Sequence, residues 1–218
     1  MMELSLPFSC KPFLIMDIDI NIPVEKEVKL YYQQQQLHGN QVDFPYWTRL
    51  WASSVAMAQM LVQQHQLLEN KKLMELGAGI SLPSFIAACY AESVIASDYI
   101  QEAVDLARAN INQLGLENIK AECFNWKTDR IDHALDILLL SDVNYDPSSF
   151  NYLIHLINQF LSTPGKIIFI TTPQRLAGKE FIQSLEQHVR YSATRSIFLD
   201  GVTTSILCLR LEFSSYLS

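Results

Sequence analysis

The stretch Lys71-Lys72-Leu73-Met74-Glu75-Leu76-Gly77-Ala78-Gly79-Ile80-Ser81-Leu82-Pro83 constrains this chain more than any other. An apolar strand runs into two glycines, and an apolar helix begins at once beyond them. Glycine lacks a Cβ, so it accepts positive φ and lets a ligand lie directly on the backbone. Strand, glycine turn and helix N-terminus together form a nucleotide-sized site in open α/β sheets. The composition points the same way: 49% of the 218 residues are apolar and 18% charged. That is more to bury than a sheet with one wet face needs, so helices on both faces are expected. The length suits a single domain.

Ahead of this stretch, Met16 to Val24 alternates apolar and polar residues, the pattern of a half-buried strand, and Pro23 places it at an edge. Gln33 to Gln36 reads as a loop or solvated helix face. The segment from Phe44 to Ser54 holds Tyr46, Trp47 and Trp51 just before a helical pattern. Rings there pack on a core or wall off a pocket for a cation or a base.

From residue 71 onward, strands and helices alternate. Strands are predicted at Lys72 to Leu76, Ser93 to Ser97, Ile119 to Phe124, Ala134 to Leu140 and Lys166 to Thr172. Helices are predicted at Leu82 to Tyr90, Ile100 to Leu114 and from Pro147 to about Phe160, with a last one at Ala177 to His188. Ser81 is the expected N-cap of the first of these, with Pro83 in its first turn. Gly115 stops the second. Asp146 and Pro147 read as N-cap and N1 of the third. Two final strands, Val189 to Leu199 and Val202 to Phe213, are joined by Asp200-Gly201, the pair that a type I′ hairpin turn requires. An otherwise parallel sheet thus ends in a reversed strand.

A dinucleotide fingerprint, Gly-x-Gly-x-x-Gly, is not met, because Leu82 stands at its third glycine. The ensemble that remains is Pro45-Tyr46-Trp47 with Trp51, Glu75-Leu76-Gly77-Ala78-Gly79, Leu82-Pro83, Asp98-Tyr99, Asn125-Trp126 and Asp142-Val143-Asn144-Tyr145. In these residues the chain resembles the seven-strand S-adenosylmethionine-dependent methyltransferases. Within them it is similar to the methyltransferase-like group that includes protein-lysine methyltransferases. The resemblance implies an α/β, Rossmann-like, doubly wound sheet ordered 3-2-1-4-5-7-6, with strand 7 antiparallel and helices on both faces. A short β-containing extension (residues 1–43) would precede the methyltransferase domain (residues 44–218).

The resemblance also implies roles. Gly77, Ala78 and Gly79 would bring backbone close to the methionine end of S-adenosylmethionine, with Glu75 nearby shaping the loop. Asp98 would take the ribose hydroxyls, with Tyr99 beside it; the ~20-residue spacing from the glycines matches that of dinucleotide sites. Asn125 stands where the family commonly has an acid bonded to the adenine amino group, and its carbonyl oxygen can still accept. Trp126, Trp51 and Ser141 complete the cofactor set. Asp142 is expected to orient the accepting amine, with Tyr145, Tyr46 and Trp47 walling an alkyl-chain channel. Arg175 falls where the family presents substrate loops, but its preferred reading is a surface arginine. The implied reaction is methyl transfer to a protein lysine. Methylation of a small-molecule amine or hydroxyl is an alternative on the same scaffold, as is a non-catalytic S-adenosylmethionine-binding module.

Other chemistries find little support. A net charge of −7 without a basic run argues against a nucleic-acid partner. Cys10, Cys89, Cys123 and Cys208 and the five histidines show no ligand spacing, so no metal is expected. The last three cysteines are expected to be buried free thiols. No Gly-x-Ser-x-Gly elbow occurs. Neither a signal-peptide pattern nor an apolar run of membrane-spanning length is found, so a cytoplasmic protein is expected.

Overall fold

The computed structural model describes residues 6–39, 45–132, 134–144, 146–174 and 178–213. A hairpin, β1 (Cys10–Ile15) and β2 (Ile18–Pro23), opens the chain, followed by α1 (Glu25–Leu37) and α2 (Ala52–Gln63). The predicted strand from Met16 therefore starts two residues later. Met16 and Asp17, with φ of 49° and 62°, form the turn that sends it back along β1. The alternation around Met16 continues through the turn, which is why β1 escaped notice.

The large sheet contains β3 (Lys72–Leu76), β4 (Ser93–Asp98), β5 (Ile119–Cys123), β6 (Ile137–Ser141), β7 (Ile167–Pro173), β8 (Val189–Leu199) and β9 (Val202–Glu212). Its order is β5-β4-β3-β6-β7-β9-β8, with β9 antiparallel to both its neighbours. Counted from β3, that is the expected 3-2-1-4-5-7-6 with the seventh strand reversed. Asp200 and Gly201 both have positive φ (50° and 79°), as a type I′ turn demands.

Strand alternation sends side chains to two apolar layers. Leu73, Ile137, Leu139 and Phe169 pack under α2, α3 (Leu82–Ala88) and α4 (Gln101–Leu114). Met74, Leu76, Leu138, Leu140, Ile168 and Ile170 pack under α5 (Phe150–Phe160) and α6 (Lys179–Gln183). Each such side chain contributes about 1.5–3 kcal/mol on burial. The central strands are thus wet on neither face, as the apolar composition requires. Ile20 and Val28 of the leading segment join the first layer.

Several boundaries differ from expectation. The fourth predicted strand begins at Ile137 rather than Ala134, because Asp132 turns the chain by accepting from the Ala134 N–H at 2.9 Å. The last predicted helix is a short α6 followed by a 3₁₀ turn at Glu186–His188, and Ala177 lies outside the described residues. Only Cys208 is a buried thiol. Cys89, which ends α3, and Cys123, which ends edge strand β5, are exposed, because each sits where its element leaves the core. Among the described residues no helix is long and apolar enough to cross a membrane, and no cluster of His, Cys, Asp and Glu is arranged to hold a metal.

Candidate active site

A cavity of about 800 Å³ opens at the carboxyl ends of β3, β4 and β6. Its position follows from topology: β4 lies on one side of β3 and β6 on the other, and the chain leaves them in opposite directions, opening a crevice. A smaller hollow of about 290 Å³, lined by Gly165, Lys166, Ile167, Glu212 and Phe213, lies at the opposite end of β7 and holds none of the expected residues.

The floor is the glycine loop. Gly77 turns the chain out of β3 with φ of 64°. A Cβ on Gly77 would lie 3.2 Å from Val143 Cγ1, and one on Gly79 would lie 3.3 Å from the Trp47 carbonyl oxygen. The backbone is therefore bare toward the cavity and closely backed behind it. The loop is tied to β4 by the Ala78 N–H, which donates to the Ser97 carbonyl at 2.8 Å, and by Asp98, which accepts from the Gly79 N–H at 2.9 Å.

Asp98 also accepts from the Ile100 N–H at 3.0 Å. Burial pushes its pKa up, and the N–H bonds from Ile100 and Gly79 oppose that rise. The N–H donors of Ile100, Gly79 and Tyr99 do not exhaust the roughly four lone-pair sites of the carboxylate, so Asp98 can bind the loop and still accept from a ligand hydroxyl.

Glu75 lies beneath the loop. It is completely buried and does not line the cavity. Its Oε2 accepts from the Ser84 N–H at 3.0 Å and from the Ser84 hydroxyl at 2.5 Å. That N–H is the one an N-cap side chain would take, so Glu75 does the capping expected of Ser81. Ser81 itself has φ of 65° and makes no side-chain cap. Burial drives the Glu75 carboxyl up to about 8, against the two Ser84 bonds, and the Asp98 charge adds to the rise. Glu75 thus shapes the loop from beneath it.

The other described candidates all meet at the cavity: Tyr46, Trp47, Trp51, Gly77, Ala78, Gly79, Asp98, Tyr99, Asn125, Trp126, Ser141 and Asp142. Trp47 does so as a core ring, 7% exposed and 5.9 Å from the Phe8 ring. Trp51 donates its indole N–H to the Tyr46 carbonyl at 2.9 Å, and the Arg49 guanidinium lies 5.2 Å from its ring. Asn125 accepts from the Lys127 N–H at 3.0 Å, so part of its oxygen is engaged in its own turn. Lys127 sits 5.5 Å over the Trp126 ring. Asp142 has φ of 56°, a conformation that costs a non-glycine residue energy and recurs at functional sites. Its N–H donates to the Thr171 carbonyl at 2.8 Å. Tyr145 and Arg175 lie outside the described residues.

The structure adds Tyr32, Arg49, Ser54, Glu102, Lys127, Asp146 and Ser149 to the lining. Asp146 was legible only as a helix cap, which it is: it accepts from the Ser148 N–H at 3.0 Å and from the Ser148 and Ser149 hydroxyls. These bonds, that of the Ser148 hydroxyl first, lower its pKa. Tyr32 carried no sequence signal, lying beside a glutamine run.

The reversed seventh strand and the glycine loop on β3 define the fold of the class I S-adenosylmethionine-dependent methyltransferases. Solved structures of that class superpose on it. A Pyrococcus abyssi tRNA (uracil-54, C5)-methyltransferase in complex with S-adenosyl-L-homocysteine covers 93% of this chain, with 44% of its own length, at a TM-score of 0.61 and 14% identity. A family profile described as lysine methyltransferase matches residues 33–188. This chain belongs to that lysine methyltransferase family. Curated relatives include a protein N-terminal and lysine N-methyltransferase, EFM7, of Candida glabrata, 26% identical over 72% of this chain and 66% of the relative. A histone-arginine methyltransferase, METTL23, of Xenopus laevis is 28% identical over 57% and 56%. The chain thus spans about half to two thirds of the length of the curated relatives it matches.

Proposed function

We propose that this chain is an S-adenosylmethionine-dependent N-methyltransferase that transfers a methyl group to the side-chain amine of a lysine in a protein. The observation that carries the reading is the single cavity in which a bare glycine loop and Asp98 meet a mouth of Tyr46, Trp51, Asp142 and Asp146. Family membership and relatives named for methylation of proteins support the acceptor.

The donor fits the residues present. The loop presents backbone that no side chain at Gly77 or Gly79 could share without crowding Val143 or Trp47. Asp98 has lone pairs to spare for a ribose diol, and Tyr99, Asn125 and Trp126 line the adjoining wall. Bound there, S-adenosylmethionine supplies an electrophilic methyl group on a sulfonium. The chain's own contribution is positional, since an in-line displacement gains most from fixed geometry.

The acceptor lysine enters with a pKa near 10.4 and must shed a proton before its lone pair can act. Tyr46 withdraws its alkyl chain and ammonium from water, which favours the neutral amine. In this reading Asp142, which lines the cavity, accepts one amine N–H and aims the lone pair at the methyl carbon. A cytoplasmic setting belongs to the same proposal and is supported by the four unpaired cysteines.

Two measurements test it. Calorimetry should show binding of S-adenosylhomocysteine; binding of NADH in its place would overturn the donor. Purified protein with labelled S-adenosylmethionine should label a protein in a hypomethylated lysate, with methyllysine after hydrolysis. Label in methylarginine, methylhistidine or only in small metabolites would overturn the acceptor.

A further inference from the structure

Residues 6–32 lie outside the matched family profile, yet they reach the cavity. Resting on the donor assignment above, we infer that Tyr32 of α1 is a binding residue for the nucleoside end of the donor. The same inference makes the β1–β2 hairpin the scaffold that holds Tyr32 there, with Asn110 as its positioning residue.

Three observations carry this. Tyr32 lines the cavity, and the charged or titratable groups that reach its phenol include Glu102 and Tyr99, which flank Asp98, so it stands at the ribose side. Its phenol is hydrogen-bonded to the Trp47 side chain. An indole N–H can only donate, so the phenolic oxygen accepts and keeps its own proton for an acceptor. Its ring also meets Tyr31 edge-on at 5.3 Å, and Tyr31 meets Phe8 at 6.2 Å, so an aromatic cluster fixes its direction.

The hairpin has no strand partner in the large sheet. It is held instead by one buried side chain of α4. Asn110 accepts from the Asn21 N–H at 2.8 Å and donates to the Asn21 carbonyl at 3.0 Å, reproducing the pair of bonds a neighbouring strand would make. Gln113 adds a donation to the Asp19 carbonyl at 3.0 Å. Asn110 itself does not line the cavity, so it acts on the ligand only through what the hairpin carries.

Calorimetry on the full chain tests this with S-adenosylhomocysteine and with methylthioadenosine, which lacks the amino-acid end. Tyr32→Ala should weaken both ligands about tenfold, and Tyr32→Phe about threefold through the lost O–H. Asn110→Ala should weaken both by a few fold, and that loss should vanish in the Tyr32→Ala background, because both changes remove one contact. A wild-type chain that binds neither ligand would overturn the donor assignment itself. Wild-type binding with an unchanged Tyr32→Ala affinity would overturn the role of Tyr32 alone. Loss confined to S-adenosylhomocysteine would place Tyr32 at the other end of the ligand and overturn the nucleoside assignment. An Asn110→Ala loss that persists beside Tyr32→Ala would reduce Asn110 to a structural residue.

Discussion

The two ends of the cavity are built by opposite means. At the donor end, the chain presents backbone: a bare glycine loop backed by Trp47 and Val143, bonded to β4, and pinned by Asp98. Beneath it Glu75 is fully buried and caps α3. At the acceptor end, the chain presents side chains on turns: half-exposed Tyr46, Trp51, and the acids Asp142 and Asp146 beyond β6. Backbone geometry admits few substitutes, whereas side chains on turns can be exchanged without disturbing the sheet. A donor site should therefore fail as a unit when touched, and an acceptor site by degrees.

The largest expected effect lies at the donor end. Asp98→Ala removes the acceptor for the ribose hydroxyls and releases the Gly79 N–H; S-adenosylhomocysteine affinity should fall about 100-fold. A loss below threefold would erase the distinction between the two ends. Next comes Asp142→Asn, for which kcat should fall about 30-fold, about 2 kcal/mol of barrier, with donor affinity unchanged. Were donor affinity to fall equally, Asp142 would belong to the donor end.

A third prediction concerns pH. The Glu75 carboxyl is raised to about 8 from an ordinary value of 4.5, so the unfolded chain releases this proton first. Its contribution to stability is complete below about pH 4.5 and is lost as pH climbs to about 8. The melting temperature should drop by on the order of ten degrees across that window through this group. Glu75→Gln should flatten the slope, whatever its absolute stability; an unchanged slope would remove Glu75 as its source. The smallest effect is expected at the mouth: Tyr46→Ala should raise the KM for a protein acceptor about threefold and leave donor binding alone. An effect on donor affinity larger than that on KM would again blur the two ends.

The sheet was legible in the sequence because its signals are local. Asp200-Gly201 announces a reversed hairpin through turn stereochemistry alone, and Gly77 and Gly79 mark a strand end through the lack of a Cβ. The apolar runs of β3 and β6 could only be central strands. Asp98, Asn125 and Asp142 were legible as a set because each sits at or just past the end of a strand, and parallel strands deliver their carboxyl ends to one edge. Glu75 misled for the same reason: its place in the chain is that of a ligand residue, while its side chain points beneath the loop to Ser84.

Tertiary structure alone decided what depends on contacts between distant residues. Tyr32 enters the cavity because Asn110, 89 residues from Asn21, holds a hairpin that the large sheet does not pair. Trp47 and Tyr46, adjacent in sequence, part company because one ring finds Phe8 in the core and the other finds Trp51 at the half-exposed mouth. Periodicity and turn chemistry are properties of a few neighbouring residues, so the sequence by itself determined the strands, their order and the glycine loop. Cavity walls are set by which surfaces happen to pack together, and no short stretch of chain encodes that.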